Sequence, residues 1–326
     1  MGEKVAVLLC GYGEVDEYDE FADYNERSFK LLVSKSIKFP DFSIPFLSRR
    51  LERSQRKEWH AANHYHSPHN DIFERQREGI EKNLQAHYGD EVAVFKAFNF
   101  VPPYLPDQVL KEIRNQGFEK IVVYPWLVVD SVFTAGLALE QINEALAPDP
   151  TWVKGMRYLP SFWAREDFQQ RLVDQIEEGL APLHDRFAPT QIGVMLCLHG
   201  CPLESKGYET GVRDSTALYY AIQDRLIRKY PLISPAWMNH PVPGKWTTPD
   251  VDQAAKNLMT LGAKALMMVP IGFVTENHET QLDIGYTIDK VKDEVECHHL
   301  PTLNDDPELL RIGADWIKPL IDELRG

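Results

Sequence analysis

The chain has 326 residues, with 35 Lys and Arg set against 49 Asp and Glu, a net charge of −14. Its 44% hydrophobic and 26% charged residues are an ordinary globular composition, which excludes disorder over most of the length. The acidic balance offers no clustered positive footprint for phosphates, so nucleic acid is not an expected partner.

The most apolar runs, 121–129 (IVVYPWLVV) and 265–274 (ALMMVPIGFV), reach about half of the ~20 residues that a membrane-spanning helix needs. The N-terminal stretch passes from KVAVLL straight into acids and lacks the long apolar region and small-residue cleavage site of a signal peptide. Four cysteines without a C-x-x-C make neither a disulfide framework nor a zinc knuckle. A soluble protein of a reducing compartment, the cytoplasm, is expected.

In chain order, β-rich runs occur at 4–9, 91–98, 119–124, 190–197, 232–237 and 264–269. Helical patterns lie near 70–88, 105–116, 133–146, 163–182, 212–229, 249–261 and 306–324. Several strands are apolar on both faces, as in a parallel sheet covered by helices on each side, and the alternation predicts a doubly wound α/β fold.

Two pairs of segments repeat. Residues 8–13 (LLCGYG) and 195–200 (MLCLHG) both end a strand in Leu-Cys-x-x-Gly, offset by 187, and 122–131 and 267–276 both run from an apolar strand through Pro into a turn, offset by 145. Two similar parallel-sheet lobes are therefore expected, 1–150 and 151–326, with a cleft between them. An inserted lip at about 37–69 accounts for the difference in offset, and the C-terminal helix is a candidate to pack back on the first lobe.

Open parallel sheets bind ligands outside the carboxyl ends of their strands. Gly11-Tyr12-Gly13 has the start of a dinucleotide fingerprint, but position 16 is Asp, and Glu14, Asp16, Glu17, Asp19 and Glu20 would repel a pyrophosphate. No G-x-x-x-x-G-K-[ST] is present, so no nucleotide is expected. His199 follows a buried strand and precedes Gly200 and Pro202, a placement that suits a base or metal ligand. A structural histidine in a turn explains it equally well. Cys197 reads as a core residue of the strand. In 270–283 (PIGFVTENHETQLD), a helix starting at Thr275 would put Glu276, Glu279 and Asp283 on one face, able to pass a cation inward or protons outward. Acids near a helix N-terminus are also favoured by the helix dipole without any function.

Together these segments resemble the ferrochelatase family. Pro270-Ile271-Gly272-Phe273-Val274 followed by Glu279-Thr280 is similar to the signature P-I-G-F-V-x-D-H-x-E-T, and Leu198-His199-Gly200-Cys201-Pro202 to S-x-H-G-x-P. Ser67-Pro68 with Arg75-Gln76, then Pro125, Ser131, Thr134 and Gly136, then Trp246 with Pro249, follow in register. Tyr12-Gly13 sits where some bacterial members have Tyr-Gly. The resemblance spans residues 8 to 284.

The resemblance implies a lyase that inserts ferrous iron into a porphyrin, protoporphyrin IX or coproporphyrin III, in haem biosynthesis. It implies His199 and Glu279 as catalytic residues and His199, Glu279 and Asp283 as metal-holding ones, with His199 on one wall of the cleft and Glu279 on the opposite wall. Fe2+ is then a substrate, no tightly bound cofactor is implied, and the absence of a matching Cys cluster argues against an iron–sulfur cluster. The lip residues Phe39, Phe42, Ile44, Phe46 and Leu47 offer apolar cover for a macrocycle, and Arg49, Arg50 and Arg53 partners for its carboxylates. With Tyr12, the expected porphyrin contacts are Phe42, Phe46, Arg49 and Arg53. A peripheral membrane contact is the other use for such a lip. The chain departs from the pattern at Asn277, where the family has a second histidine; His278 is displaced by about 100° on an α-helix and turns inward only with an extra residue in the turn. A chelatase of altered metal or tetrapyrrole specificity, and a tetrapyrrole carrier or sensor, are the alternatives.

Overall fold

A strand buried on both faces needs an apolar side chain at every position, and VAVLLCG meets that demand: all seven residues of β1 (Val5–Gly11) are buried. The computed structural model describes residues 4–16, 21–33, 41–62, 64–204, 208–240 and 244–326. β2 (Val92–Phe98) and β3 (Lys120–Pro125) flank β1, and β4 (Gly155–Tyr158) pairs with β3; all pairings are parallel, in the order β2-β1-β3-β4. A second sheet repeats the plan with β5 (Ile192–His199), β6 (Ile233–Met238), β7 (Ala265–Val269) and β8 (Glu296–His299), ordered β6-β5-β7-β8 and again all parallel.

Among the described residues, the helices are α1 (Phe21–Ser28), α2 (Ile44–Ala61), α3 (His69–Tyr88), α4 (Pro106–Asn115), α5 (Ala135–Leu146), α6 (Glu166–Leu180), α7 (Val212–Leu226), α8 (Val251–Thr260), α9 (Ile284–Val291) and α10 (Pro307–Arg325). Leu8 and Cys10 of β1 face α4 and α5 in one core, and Met195 and Cys197 of β5 face α8 and α9 in another. The internal repeat is thus physical: each pair differs by the 187 residues of the Leu-Cys repeat. Each cysteine even donates its S–H to the carbonyl two residues back, at 3.6 Å. Burial pushes both thiols up to about 12, so neither is a reactive thiolate at neutral pH.

The chain divides into two units, Met1–Ser161 with Leu310–Gly326, and Phe162–Leu309. The first runs past residue 150 because β4 joins its sheet beside β3. The end of α10 belongs to it too. A β-carbon on Gly313 would lie 2.7 Å from the Trp126 ring, so only glycine lets α10 approach there, and the Tyr88 hydroxyl donates to Asp322 at 2.8 Å. The segment expected to be an inserted lip holds α2, packed against α1 and anchored by the buried Ile44, Ser48 and Trp59. Among the described residues, no helix is long and apolar enough to cross a membrane.

Candidate functional site

β5 and β7 are neighbouring parallel strands, so the loops that follow them leave the same edge of the second sheet. His199 ends β5. Glu279 opens a single π-helical turn, Glu279–Asp283, that leads into α9. Their side chains meet, His199 Nε2 lying 3.7 Å from Glu279 Oε1. The expectation of two opposite walls is corrected accordingly: both residues belong to one unit and stand side by side, because strand adjacency, here β5 beside β7, decides which loops meet.

A third side chain completes the cluster. β6 borders β5 on its other side, and two residues past its end comes His240, whose Nε2 is 3.1 Å from His199 Nε2 and 3.7 Å from Glu279 Oε1. Sequence reasoning passed over His240, although the signal that singles out His199, a histidine at the carboxyl end of a strand, was present there. His199 and His240 keep 48% and 40% of their side-chain surface open, while Glu279 keeps 12%, so a half-buried carboxylate stands beside two accessible imidazoles. Desolvation by packed atoms pulls the His240 imidazole down to about 4; Glu279 opposes this, and the imidazoles of His199 and His278 add to it. Solvent still reaches the exposed part of this ring, so the direction, a neutral imidazole at pH 7, is what matters for its chemistry.

The loops are stitched together locally. The Gly200 N–H donates to the Met238 carbonyl at 2.8 Å. The Thr247 hydroxyl accepts from the Cys201 N–H at 3.1 Å and donates to Asn239 Oδ1 at 3.3 Å, while Asn239 Nδ2 donates to the Thr247 carbonyl at 2.8 Å. The His240 ring sits edge-on to Trp246, with 5.9 Å between centroids.

The predicted line of acids on one α-helical face is not what forms. Glu276 is buried ahead of the helical turn, where its carboxylate accepts from the Thr302 N–H at 2.8 Å and the Thr280 hydroxyl at 3.1 Å. It holds the 302–304 loop instead of pointing outward. Asp283 is exposed at the end of the π turn. Asn277 is also buried, and its side chain accepts from the Thr280 N–H at 2.9 Å while the Thr280 hydroxyl accepts from the Asn277 N–H at 3.0 Å. This reciprocal pair is a capping box: where the family pattern has a second histidine, Asn277 caps the helical turn. The extra residue in the turn exists, but it lies just after His278, in the segment that carries Glu279.

In the first unit, Tyr12 packs edge-on against Phe100 with 5.0 Å between centroids. Phe42 and Phe46 are 86% and 72% exposed, and Arg49, Arg50 and Arg53 are exposed on α2. Positions 46, 49, 50 and 53 share one face of α2, and Phe42 lies in the 3-10 turn, Asp41–Ser43, that leads into it. Ile44 is buried and Leu47 half-buried. Ile44 therefore anchors the lip and is not free to cover a ligand. Phe39 lies outside the described residues. Ser67 donates its hydroxyl to the buried Glu14 carboxylate, and the Ser131 and Thr134 hydroxyls are 2.9 Å apart, so these motif residues tie loops of the first unit together.

The sequence profile of the Ferrochelatase family matches residues 4–320. A ferrochelatase of Gloeothece citriformis is 24% identical, over 93% of this chain and 79% of its own, and one of Geotalea daltonii is 25% identical over 99% of this chain and 100% of its own. The fold is similar to that of SirB from Bacillus subtilis with Fe3+, at a TM-score of 0.57 and 11% identity, covering 97% of this chain and 94% of that one. It is also similar to the sirohydrochlorin chelatase SirB from Bacillus subtilis subspecies spizizenii in complex with cobalt, at a TM-score of 0.53 and 11% identity, covering 98% and 96%.

Proposed function

The chain belongs to the ferrochelatase family, and on that premise we propose that it inserts ferrous iron into a porphyrin, protoporphyrin IX or coproporphyrin III. The observation that supports this reading is the contact of His199 Nε2 with Glu279 Oε1 at 3.7 Å, at the carboxyl edge of a parallel sheet. Metallation removes two pyrrole N–H protons and strips the metal of its water. An imidazole beside a carboxylate suits both tasks: the carboxylate draws in the cation, and the pair accepts the departing protons. The exposed Phe42 and Phe46 are apolar cover for the macrocycle, and Arg49 and Arg53 partners for its carboxylates. Asp283, exposed one π turn from Glu279, has the role of relaying metal or protons.

Altered specificity is the second reading, favoured by two features of this chain: Asn277 is engaged in capping and His240 stands in the cluster. One experiment addresses both. The protein is incubated anaerobically with protoporphyrin, coproporphyrin or sirohydrochlorin and with Fe2+, Co2+, Ni2+ or Zn2+, and the Soret band is followed. Fastest insertion of Fe2+ into one of the two porphyrins is expected. Preference for another metal or for sirohydrochlorin would establish the second reading, and binding without insertion for every combination would make the protein a carrier.

A further inference from the structure

We propose that His240 is a third metal-holding residue, and that His199, His240 and Glu279 form a two-imidazole, one-carboxylate seat for a first-row divalent transition-metal ion. The role of this seat, loading the metal before transfer, rests on the chelatase reading. Its existence does not.

Geometry carries the inference. The two Nε2 atoms are 3.1 Å apart and each is 3.7 Å from the same carboxylate oxygen. The circle through three atoms so spaced has a radius of about 2.0 Å, the length of a bond from a transition metal to imidazole nitrogen or carboxylate oxygen. One point is therefore at bonding distance from all three donors. A simple hydrogen bond between the imidazoles would account for the 3.1 Å separation, but not for a carboxylate oxygen equidistant from both nitrogens.

The seat is also held in shape. His199 and His240 follow adjacent strands whose loops the Thr247 network joins, and Trp246 backs the His240 ring. The donors define the ligand class. Two imidazole nitrogens with one carboxylate oxygen favour Fe2+, Co2+, Ni2+ or Zn2+, whereas Mg2+ and Ca2+ select oxygen donors. Three donors do not fill the coordination shell of such an ion, so incoming ligand atoms can take the remaining positions.

Cobalt(II) alone is the probe, titrated anaerobically into the full chain without any tetrapyrrole, with calorimetry for affinity and visible absorption for geometry. We expect one ion per chain, displaced by Zn2+ and unaffected by a large excess of Mg2+. His240→Ala and the shape-preserving His240→Gln are each expected to weaken binding about 100-fold, at the upper end of the 10- to 100-fold typical even of residues that only support a metal ligand. His184→Ala, a histidine hydrogen-bonded to Tyr230, is expected to bind as wild type. The proposal is overturned if wild type binds no Co2+, or if both folded His240 variants keep its affinity and spectrum. Should His240 prove necessary for Co2+ binding while no tetrapyrrole is metallated, the seat stands and the chelatase reading fails. Insertion of metal by a protein whose Co2+ affinity is indifferent to His240 removes the seat and leaves that reading intact.

Discussion

Gly200 and Asn239 are so close that a β-carbon on Gly200 would lie 2.3 Å from the Asn239 side-chain oxygen and 2.6 Å from the Met238 carbonyl. Each of the two is next to a histidine of the cluster, so the missing side chain at position 200 sets the spacing between His199 and His240. Gly200→Ala is expected to push the two loops apart. Overpacking of this kind costs about 1–3 kcal/mol, a visible but tolerable loss in a urea melt. Because misplacement by about 1 Å costs on the order of 100-fold in rate, metal insertion should fall far more than stability. Unchanged activity would show that the spacing of the imidazoles is irrelevant.

His199→Ala and Glu279→Gln should each abolish metal insertion while porphyrin affinity, followed by fluorescence quenching, stays within a few-fold. A group that acts on the reacting N–H protons contributes to the transition state and little to ground-state binding. Asp283→Asn should be milder, since Asp283 is exposed and lies at the far end of the π turn. Equal porphyrin binding by wild type and both variants, with insertion by none of them, would identify a carrier.

Phe42→Ser with Phe46→Ser should weaken porphyrin binding yet leave the melting temperature within about 2 °C, because side chains 86% and 72% exposed add little to folding. Ile44→Ser offers the contrast. This buried residue of the same helix should lower stability by about 2–4 kcal/mol through lost burial and an unsatisfied hydroxyl. If the Phe variants unfold and the Ile variant does not, the lip is oriented the other way round.

Arg171 grips Asp306 through two hydrogen bonds, Nε to Oδ1 at 3.1 Å and Nη2 to Oδ2 at 2.9 Å, and the Leu309 N–H donates to the same carboxylate at 2.9 Å. Burial raises the Asp306 carboxyl, but the hydrogen bonds from Arg171 and the backbone outweigh it and hold the group below the usual carboxylate range. A carboxylate lowered in the folded state stabilises above its unfolded pKa of about 3.9, and that contribution is lost as the pH falls through the lower folded value. Asp306→Asn should therefore destabilise by about 1–3 kcal/mol at pH 7. The difference from wild type should shrink below pH 4, as thermal melts between pH 3 and pH 7 would reveal. A difference that does not change with pH would mean that charge plays no part.

Much of this protein was legible in its sequence because the relevant physics is local. VAVLLCG and IGVMLCLH announce buried parallel strands by their unbroken apolar content, and the repeated Leu-Cys-x-x-Gly marks two equivalent strand ends whose side chains enter equivalent cores. His199 and Glu279 were identifiable from motifs that keep strand, turn and side chain within a few residues. The edge strands β4 and β8 escaped notice, being four residues long and only partly buried, too short and too mixed for any period to show. The capping by Asn277 and the inward turn of Glu276 depend on hydrogen bonds with Thr280, Thr302 and Asn304, the last two lying well beyond the motif in the chain. His240 depends on strand order. Only when β6 and β7 assemble on either side of β5 do residues 199, 240 and 279, far apart in the chain, bring one atom each to bonding distance from a common point. Residue types and local periods are properties of the chain, whereas which loops share an edge follows from how apolar strands pack to exclude water. That packing alone sets two histidines and a carboxylate side by side.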